Sequence, residues 1–228
     1  MKILIVSATW LEVKLLTDEL EFIDQTTHLL KKYRLYEIEI DILITGIGTT
    51  FTAFHLTNAL RDEQYQFVIN IGIAGSLTDE LAIGEVVLVV ADEFADLGIE
   101  KENEFLTLFE SGFMDANDFP FEQGMLKASE LNGLFDLRKV RGITTNKSHG
   151  RAASISEIKS KFSAQVESME GAVVFYVCNW FGISCFQIRS VSNFVEPRDS
   201  AKWNIPMALE KLNVTVLDVL KKLTVEVH

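Results

Sequence analysis

One stretch, residues 165–198 (QVESMEGAVVFYVCNWFGISCFQIRSVSNFVEPR), leaves few folds open to this chain. Val166 leads a short strand into Glu167-Ser168-Met169-Glu170, and Gly171 lets the backbone turn tightly into a helix. That helix, residues 172–180, is apolar on nearly every face, so protein has to cover both of its sides. Gly182 is placed to end it, as glycine does just past a helix C-terminus. Residues 183–191 read as a strand, interrupted by Gln187 and Arg189, that opens into a polar loop from Ser192 to Arg198. In an open α/β sheet, ligands gather beyond the carboxyl ends of the strands. Two acidic groups, an arginine and an amide are therefore expected to converge on one crevice.

The rest of the chain fits that class. Lys2–Ser7 reads as a buried first strand, followed by a helix over residues 10–22 with Leu11, Leu15, Leu16 and Leu20 on one face. Glu12 falls in its first turn. Residues 27–33 and 35–44 read as an antiparallel pair, and residues 50–61 as a helix. Strands are expected at 67–71, 85–91 and 139–145, with short helices at 124–132 and 154–162, the latter opened by a Ser154/Glu157 capping box. The acidic, Phe-bearing segment 92–122 reads as a long, partly helical loop, and residues 202–223 as a C-terminal helix with Pro206 in or near its first turn. Alternating strands and helices with one hairpin predict a single-domain, three-layer α/β/α protein around a mixed, mainly parallel sheet.

Composition narrows the partners. A net charge of −12 argues against nucleic acid and anionic lipid. No run reaches the roughly eighteen apolar residues of a membrane span, and the N-terminal segment lacks the small-residue cleavage site of a signal peptide. Cys178 and Cys185 lie in apolar segments and read as small core residues, not as a disulfide or metal pair. With four scattered histidines there is no ligand cluster, so no metal or other cofactor is expected. A cytoplasmic protein is expected.

Two glycine-bearing turns follow apolar strands: Gly46-Ile47-Gly48, and Gly72-Ile73-Ala74-Gly75-Ser76. Glycine there would let the backbone approach a ligand closely. Each alone is explained as a tight turn, and both together favour a ligand cradle. Neither carries the fingerprint or the basic residue of a phosphate site. Glu12 taken alone is a first-turn glutamate favoured by the helix dipole. Glu170 could be a capping residue, but its entry into an apolar helix demands a partner for the buried carboxylate, and Arg189 is a candidate.

Met169-Glu170-Gly171-Ala172, followed about twenty residues later by Arg189-Ser190-Val191-Ser192-Asn193, resembles the nucleoside phosphorylase/nucleosidase superfamily. The likeness extends over nearly the whole chain, weakest from Gly98 to Asn132, and points to methylthioadenosine/S-adenosylhomocysteine nucleosidases and futalosine hydrolases. It implies a purine nucleoside phosphorylase-like fold, a nucleoside substrate and a homodimer. It also implies roles. Glu12 would be the general base that activates water, Arg189 would support the water site, Glu170 would hold the ribose hydroxyls and Met169 would line the sugar. Adenine-specific members end the arginine motif with Asp where this chain has Asn193, and commonly carry Ser or Thr where it has Ile73. The segment from Ser192 through Asp199 to Trp203-Asn204 resembles futalosine hydrolases, which release hypoxanthine from futalosine in one route to menaquinone.

Among the remaining candidates, Ala74, Gly75, Ser76 and Gly48 belong to the cradle. His149 could stack on the purine or be a surface-loop histidine. Arg198 could pair with a carboxylate on the 5′ side of the substrate, or with Glu196 or Asp199. Three functions stay open: hydrolysis of a 6-oxopurine nucleoside, adenine-nucleoside hydrolysis or phosphorolysis, and non-catalytic nucleoside binding. Retention of Glu12 weighs against the last.

Overall fold

The computed structural model describes residues 1–102, 104–130, 136–197 and 199–226. In chain order the elements are β1 (Lys2–Ser7), α1 (Trp10–Thr17), β2 (Glu21–Gln25), β3 (Leu30–Leu35), β4 (Ile38–Ile44), α2 (Thr49–Asp62), β5 (Phe67–Ser76) and β6 (Val86–Phe94). After them come β7 (Gly98–Glu100), β8 (Phe105–Thr107), β9 (Leu126–Lys127), β10 (Arg138–Thr144), α3 (Ala152–Lys161), β11 (Val166–Ser168), α4 (Gly171–Phe181), β12 (Ser184–Phe194) and α5 (Ile205–Glu226).

The main sheet runs β11-β10-β6-β12-β5-β1-β4-β3-β2 and is mixed. Strands β1, β4, β5 and β12 are mutually parallel neighbours, whereas β12 meets β6 antiparallel. Strand β11 also pairs antiparallel with β5, so β5, β12, β6, β10 and β11 close into a ring, where the sequence predicts an open sheet. The ring brings β11 and its following residues beside the carboxyl end of β5.

Strand β1 shows how the core is divided. Its side chains alternate, as pleating requires. Ile3 and Ile5 pack with Val13 and Leu16 of α1 and Leu212 and Val216 of α5. Leu4 and Val6 face Leu56 of α2 and Ala172, Val174 and Phe175 of α4. Fully burying one such aliphatic side chain contributes about 1.5–3 kcal/mol, and both faces of β1 do so. Cys178 and Cys185 are buried and free, as their apolar setting predicts.

Several boundaries differ from the sequence reading, each for a tertiary reason. Helix α1 stops at Thr17, and residues 21–25 become the edge strand β2 against β3. Leu11 and Leu15 are exposed, while Val13 and Leu16 point inward. Of the face expected from leucine spacing, Leu16 and Leu20 are buried, and the apolar stripe is shifted to include Val13. Residues 72–76 continue β5 without a turn, and β12 runs on through Phe194, because each strand completes the other's hydrogen bonding to its end. Segment 92–122 holds the end of β6 and the β7–β8 hairpin, with no helix among its described residues. The helix expected over 124–132 is replaced at Leu126–Lys127 by a strand on β6, and residues 131 and 132 lie outside the described residues. Helix α3 starts at Ala152, so Ser154 makes no capping box; its hydroxyl donates to the Arg151 carbonyl. Trp180, expected inside, is exposed with Phe181 at the end of α4, where Trp180 packs edge-on against Phe119.

Candidate active site

Glu12 is buried at the start of α1, directly after the carboxyl end of β1. Its Oε2 accepts from the Ser7 hydroxyl at 3.1 Å and from the Thr9 N–H and hydroxyl, each at 3.0 Å. Oε1 accepts from the Ile73 N–H at 3.1 Å. An ionised carboxylate offers about four acceptor positions, so Oε2 is saturated and Oε1 keeps one position open. The helix beneath is clamped by the buried Asn213 of α5. Its Nδ2 donates to the Glu12 carbonyl at 2.9 Å, and its Oδ1 accepts from the Leu16 N–H at 2.8 Å. Helix dipole alone would have left this glutamate in solvent; its burial comes from β5, whose backbone reaches it through Ile73. Ile73 thus serves by its N–H, and the missing side-chain hydroxyl there is immaterial to this contact.

Arg189 is one of the largest fully buried side chains in the molecule. Its Nη2 donates to Asn70 Oδ1 and, at 3.3 Å, to Gln187 Oε1, while its Nε is buried with no partner among the described residues. Of the two roles open to it from sequence, partner of Glu170 or ligand contact, the first is not realised as an ion pair within 4.0 Å among those residues, and two neutral amides hold the guanidinium. Gly72 explains the geometry. A Cβ there would lie 2.2 Å from Arg189 Nη1 and 2.8 Å from Glu12 Oε1, so the two groups flank this glycine within about 5 Å of each other. Its φ is not in the left-handed region, and its role is space.

Glu170 is buried at the N-terminus of α4, and its Oε1 accepts from the Gly48 N–H at 2.9 Å. Gly48 has a φ of 98°, which only glycine adopts without strain, and this aims its N–H at the carboxylate. Burial pushes the Glu170 carboxyl above its ordinary value; Arg189 and the Gly48 N–H oppose that, and Glu12 adds to it. The charges of Glu12 and Arg189 are thus close enough to act on Glu170. Met169, half-buried, precedes Glu170 at the same rim. Gly171 makes room: a Cβ would lie 2.0 Å from Gln187 Oε1 and 2.2 Å from Asp92 Oδ2.

Asp92, read from sequence as the start of a loop, is instead wholly buried in β6. It accepts from Thr144 Oγ1 and Gln187 Nε2, both at 2.9 Å. Burial pushes its carboxyl up to about 7, with the Thr144 hydrogen bond and Arg189 pulling it down. Through Gln187 it helps fix the guanidinium of Arg189.

Asn193 sits within β12, opposite Gly75, just after a register shift between Val191 and Asn193. It is a strand residue at an irregularity. Its Oδ1 accepts from the Ser192 hydroxyl at 2.8 Å and its Nδ2 donates to the Phe194 carbonyl at 3.0 Å. These contacts fix the amide orientation and leave one N–H and one acceptor position over. The Ala74 carbonyl lies 3.2 Å from Ser192 Oγ, a second acceptor within reach of that hydroxyl's one proton. The Ser76 hydroxyl donates to the Thr78 carbonyl at 2.6 Å and is thereby engaged in a local turn. Gly75 passes beneath Val195 and Asn193, where a Cβ would be 2.8 Å from the valine.

His149 is buried, contrary to the surface-loop alternative. Its N–H donates to Glu167 Oε1 at 3.0 Å, and its Nδ1 contacts Glu167 Oε2. Sequence reasoning misses Glu167, because one acidic residue in a strand carries no spacing signal. The loop bearing His149 is tied to the crevice rim, since Asn146 Oδ1 accepts from the Thr49 N–H at 3.1 Å and hydroxyl at 2.7 Å. Arg198 lies outside the described residues. Among the described residues no group of His, Cys, Asp and Glu could hold a metal ion, and no helix is long and apolar enough to cross a membrane.

A helix-flanked mixed sheet, with buried carboxylates next to its strand ends and a buried arginine within β12, defines an α/β protein with a cluster of buried charge on one side of the sheet. Residues 2–221 match the family model described as the phosphorylase superfamily, and the chain belongs to that superfamily. It is 33% identical over 181 residues to a futalosine hydrolase of Streptomyces coelicolor, covering 77% of this chain and 76% of that one. It is 26% identical over 196 residues to a 5′-methylthioadenosine/S-adenosylhomocysteine nucleosidase of Buchnera aphidicola, covering 82% and 81%. Among solved structures, a futalosine hydrolase mutant of Helicobacter pylori superposes with a TM-score of 0.81 at 20% identity, covering 97% of this chain and 99% of the other.

Proposed function

We propose that this chain is an N-glycosidase that hydrolyses futalosine, releasing hypoxanthine and leaving dehypoxanthine futalosine, a step on the futalosine route to menaquinone. The observation that carries the reading is the meeting of Glu12 Oε1 and Arg189 Nη1 across Gly72. A water between them would donate to the open position of the carboxylate and accept from the guanidinium, and so be held as a nucleophile. Breaking a ribosyl C–N bond develops positive charge on the sugar and negative charge on the base, which the nearby carboxylates and a polar base pocket stabilise. Glu12 takes the proton of the attacking water, and Glu170, accepting from two vicinal hydroxyls, fixes the ribose. Met169, Gly48 and the Ile73–Ser76 segment line the site, and Asn193 reads the base. The relatives named futalosine hydrolase support the substrate.

Hydrolysis, not phosphorolysis, follows from the absence of a basic fork beyond Arg189 at the two glycine segments. Hypoxanthine release should run at an unchanged rate in phosphate-free buffer and yield the free sugar. A phosphate-dependent rate with a sugar 1-phosphate product would overturn hydrolysis.

The two core faces support a three-layer, single nucleosidase domain, and two buried free thiols suit the reducing cytoplasm. We assign the chain to a homodimer with part of segment 92–121 at the interface, because Leu97, Phe113 and Phe119 are exposed there and Phe119 packs against the exposed Trp180. Light scattering at micromolar concentration should give twice 25.7 kDa; a fully active monomer would contradict this.

A further inference from the structure

We propose that His149, supported by Glu167, is the acid that gives a proton to the departing purine; this rests on the nucleosidase reading and deepens it. Cleavage of the glycosidic bond sends an electron pair onto the base, and a proton delivered to one of its imine nitrogens makes it a competent leaving group. Asn193 has no acidic proton to give, and its amide is already oriented by Ser192 and Phe194. Glu12 receives a proton in the same step, Glu170 is held on Gly48, and both oxygens of Asp92 are engaged with Thr144 and Gln187.

The histidine is built differently from a packing residue. Both its backbone N–H and Nδ1 meet the Glu167 carboxylate, which fixes the ring's position and, as acceptor of an Nδ1 proton, leaves Nε2 to exchange one. Nε2 makes no hydrogen bond among the described residues, and the residue lines a cavity of about 240 Å³ with Lys147, Ser148, Gly150, Arg151 and Ser154. Topology brings Glu167 close to Asn193, the residue assigned to the base. Glu167 and Asn193 are register partners of the same residue, Gly75, from the two neighbouring strands.

The step balances. The C1′–N bond breaks with its electrons going to the base, the Nε2 proton of the imidazolium moves to a base nitrogen, water oxygen bonds C1′, and Glu12 takes the water proton. Solvent then reprotonates His149 and deprotonates Glu12.

Three variants, assayed for kcat and KM on whichever nucleoside the unmodified enzyme cleaves, decide the matter. Failure of futalosine as substrate would thus count against the substrate assignment and not against His149. His149→Phe keeps a ring that stacks but carries no proton, and should lower kcat at least 10²-fold with little change in KM. His149→Ala should fall as far and be restored in a concentration-dependent way by added imidazole. Glu167→Gln, which preserves shape, should lower kcat about tenfold or more through the weaker acid pair. A histidine that only stacks on the base would leave His149→Phe within about threefold of the parent, and that result overturns the proposal. So would a folded His149→Ala that imidazole does not restore, or, should both histidine variants misfold, a Glu167→Gln enzyme with parental kcat.

Discussion

Glu12→Gln should cut turnover by roughly 10²-fold or more and leave thermal unfolding close to that of the parent. Glutamine keeps the length of the side chain and can still accept from Ile73 through its amide oxygen, so α1 keeps its place against β5. What is lost is a group able to receive a proton at the position facing Arg189. The amide NH₂ would also have to stand near the Ser7 and Thr9 donors that now converge on Oε2, which costs hydrogen bonds but does not unpack the core. Glu170→Gln should behave differently, raising KM and lowering kcat together, because a ribose contact acts in the ground and transition states alike. Steady-state kinetics with circular dichroism as the folding control distinguishes these outcomes. Near-normal turnover of Glu12→Gln would remove Glu12 as the base.

The largest selectivity change is expected at Asn193. The fixed amide leaves one N–H to donate to the O6 of hypoxanthine and one acceptor position for a protonated N7. A carboxylate in its place would face O6 with like polarity, while suiting the amine of adenine. Sites that rely on such polar complementarity reject the mismatched analogue by up to about 10⁴-fold. The unmodified enzyme should therefore release hypoxanthine from futalosine and leave methylthioadenosine nearly untouched. Asn193→Asp should lose hypoxanthine release and gain measurable adenine release. Chromatography of both nucleosides after incubation checks this, and efficient cleavage of methylthioadenosine by the unmodified chain would refute the base assignment.

Alternating apolar strands and helices and the glycine that ends α4 indicate an α/β fold, while the resemblance carried by the run from Met169 to Asn193 points to this superfamily and, through it, to Glu12, Glu170, Arg189 and Asn193. Those signals are local: each depends on residue type and on spacing along one or two elements. Only the tertiary structure shows that the Gly72–Ser76 segment is strand, that Gly72 and Gly171 act by leaving space for Arg189, Gln187 and Asp92, and that Glu167 stands behind His149. The closure of β11 onto β5, the burial of Asp92 and the choice of the Val13/Leu16 face of α1 are likewise decided between elements distant in sequence. Packing and hydrogen-bond completion across such distances depend on which strands become neighbours, and no periodicity within a single segment encodes that.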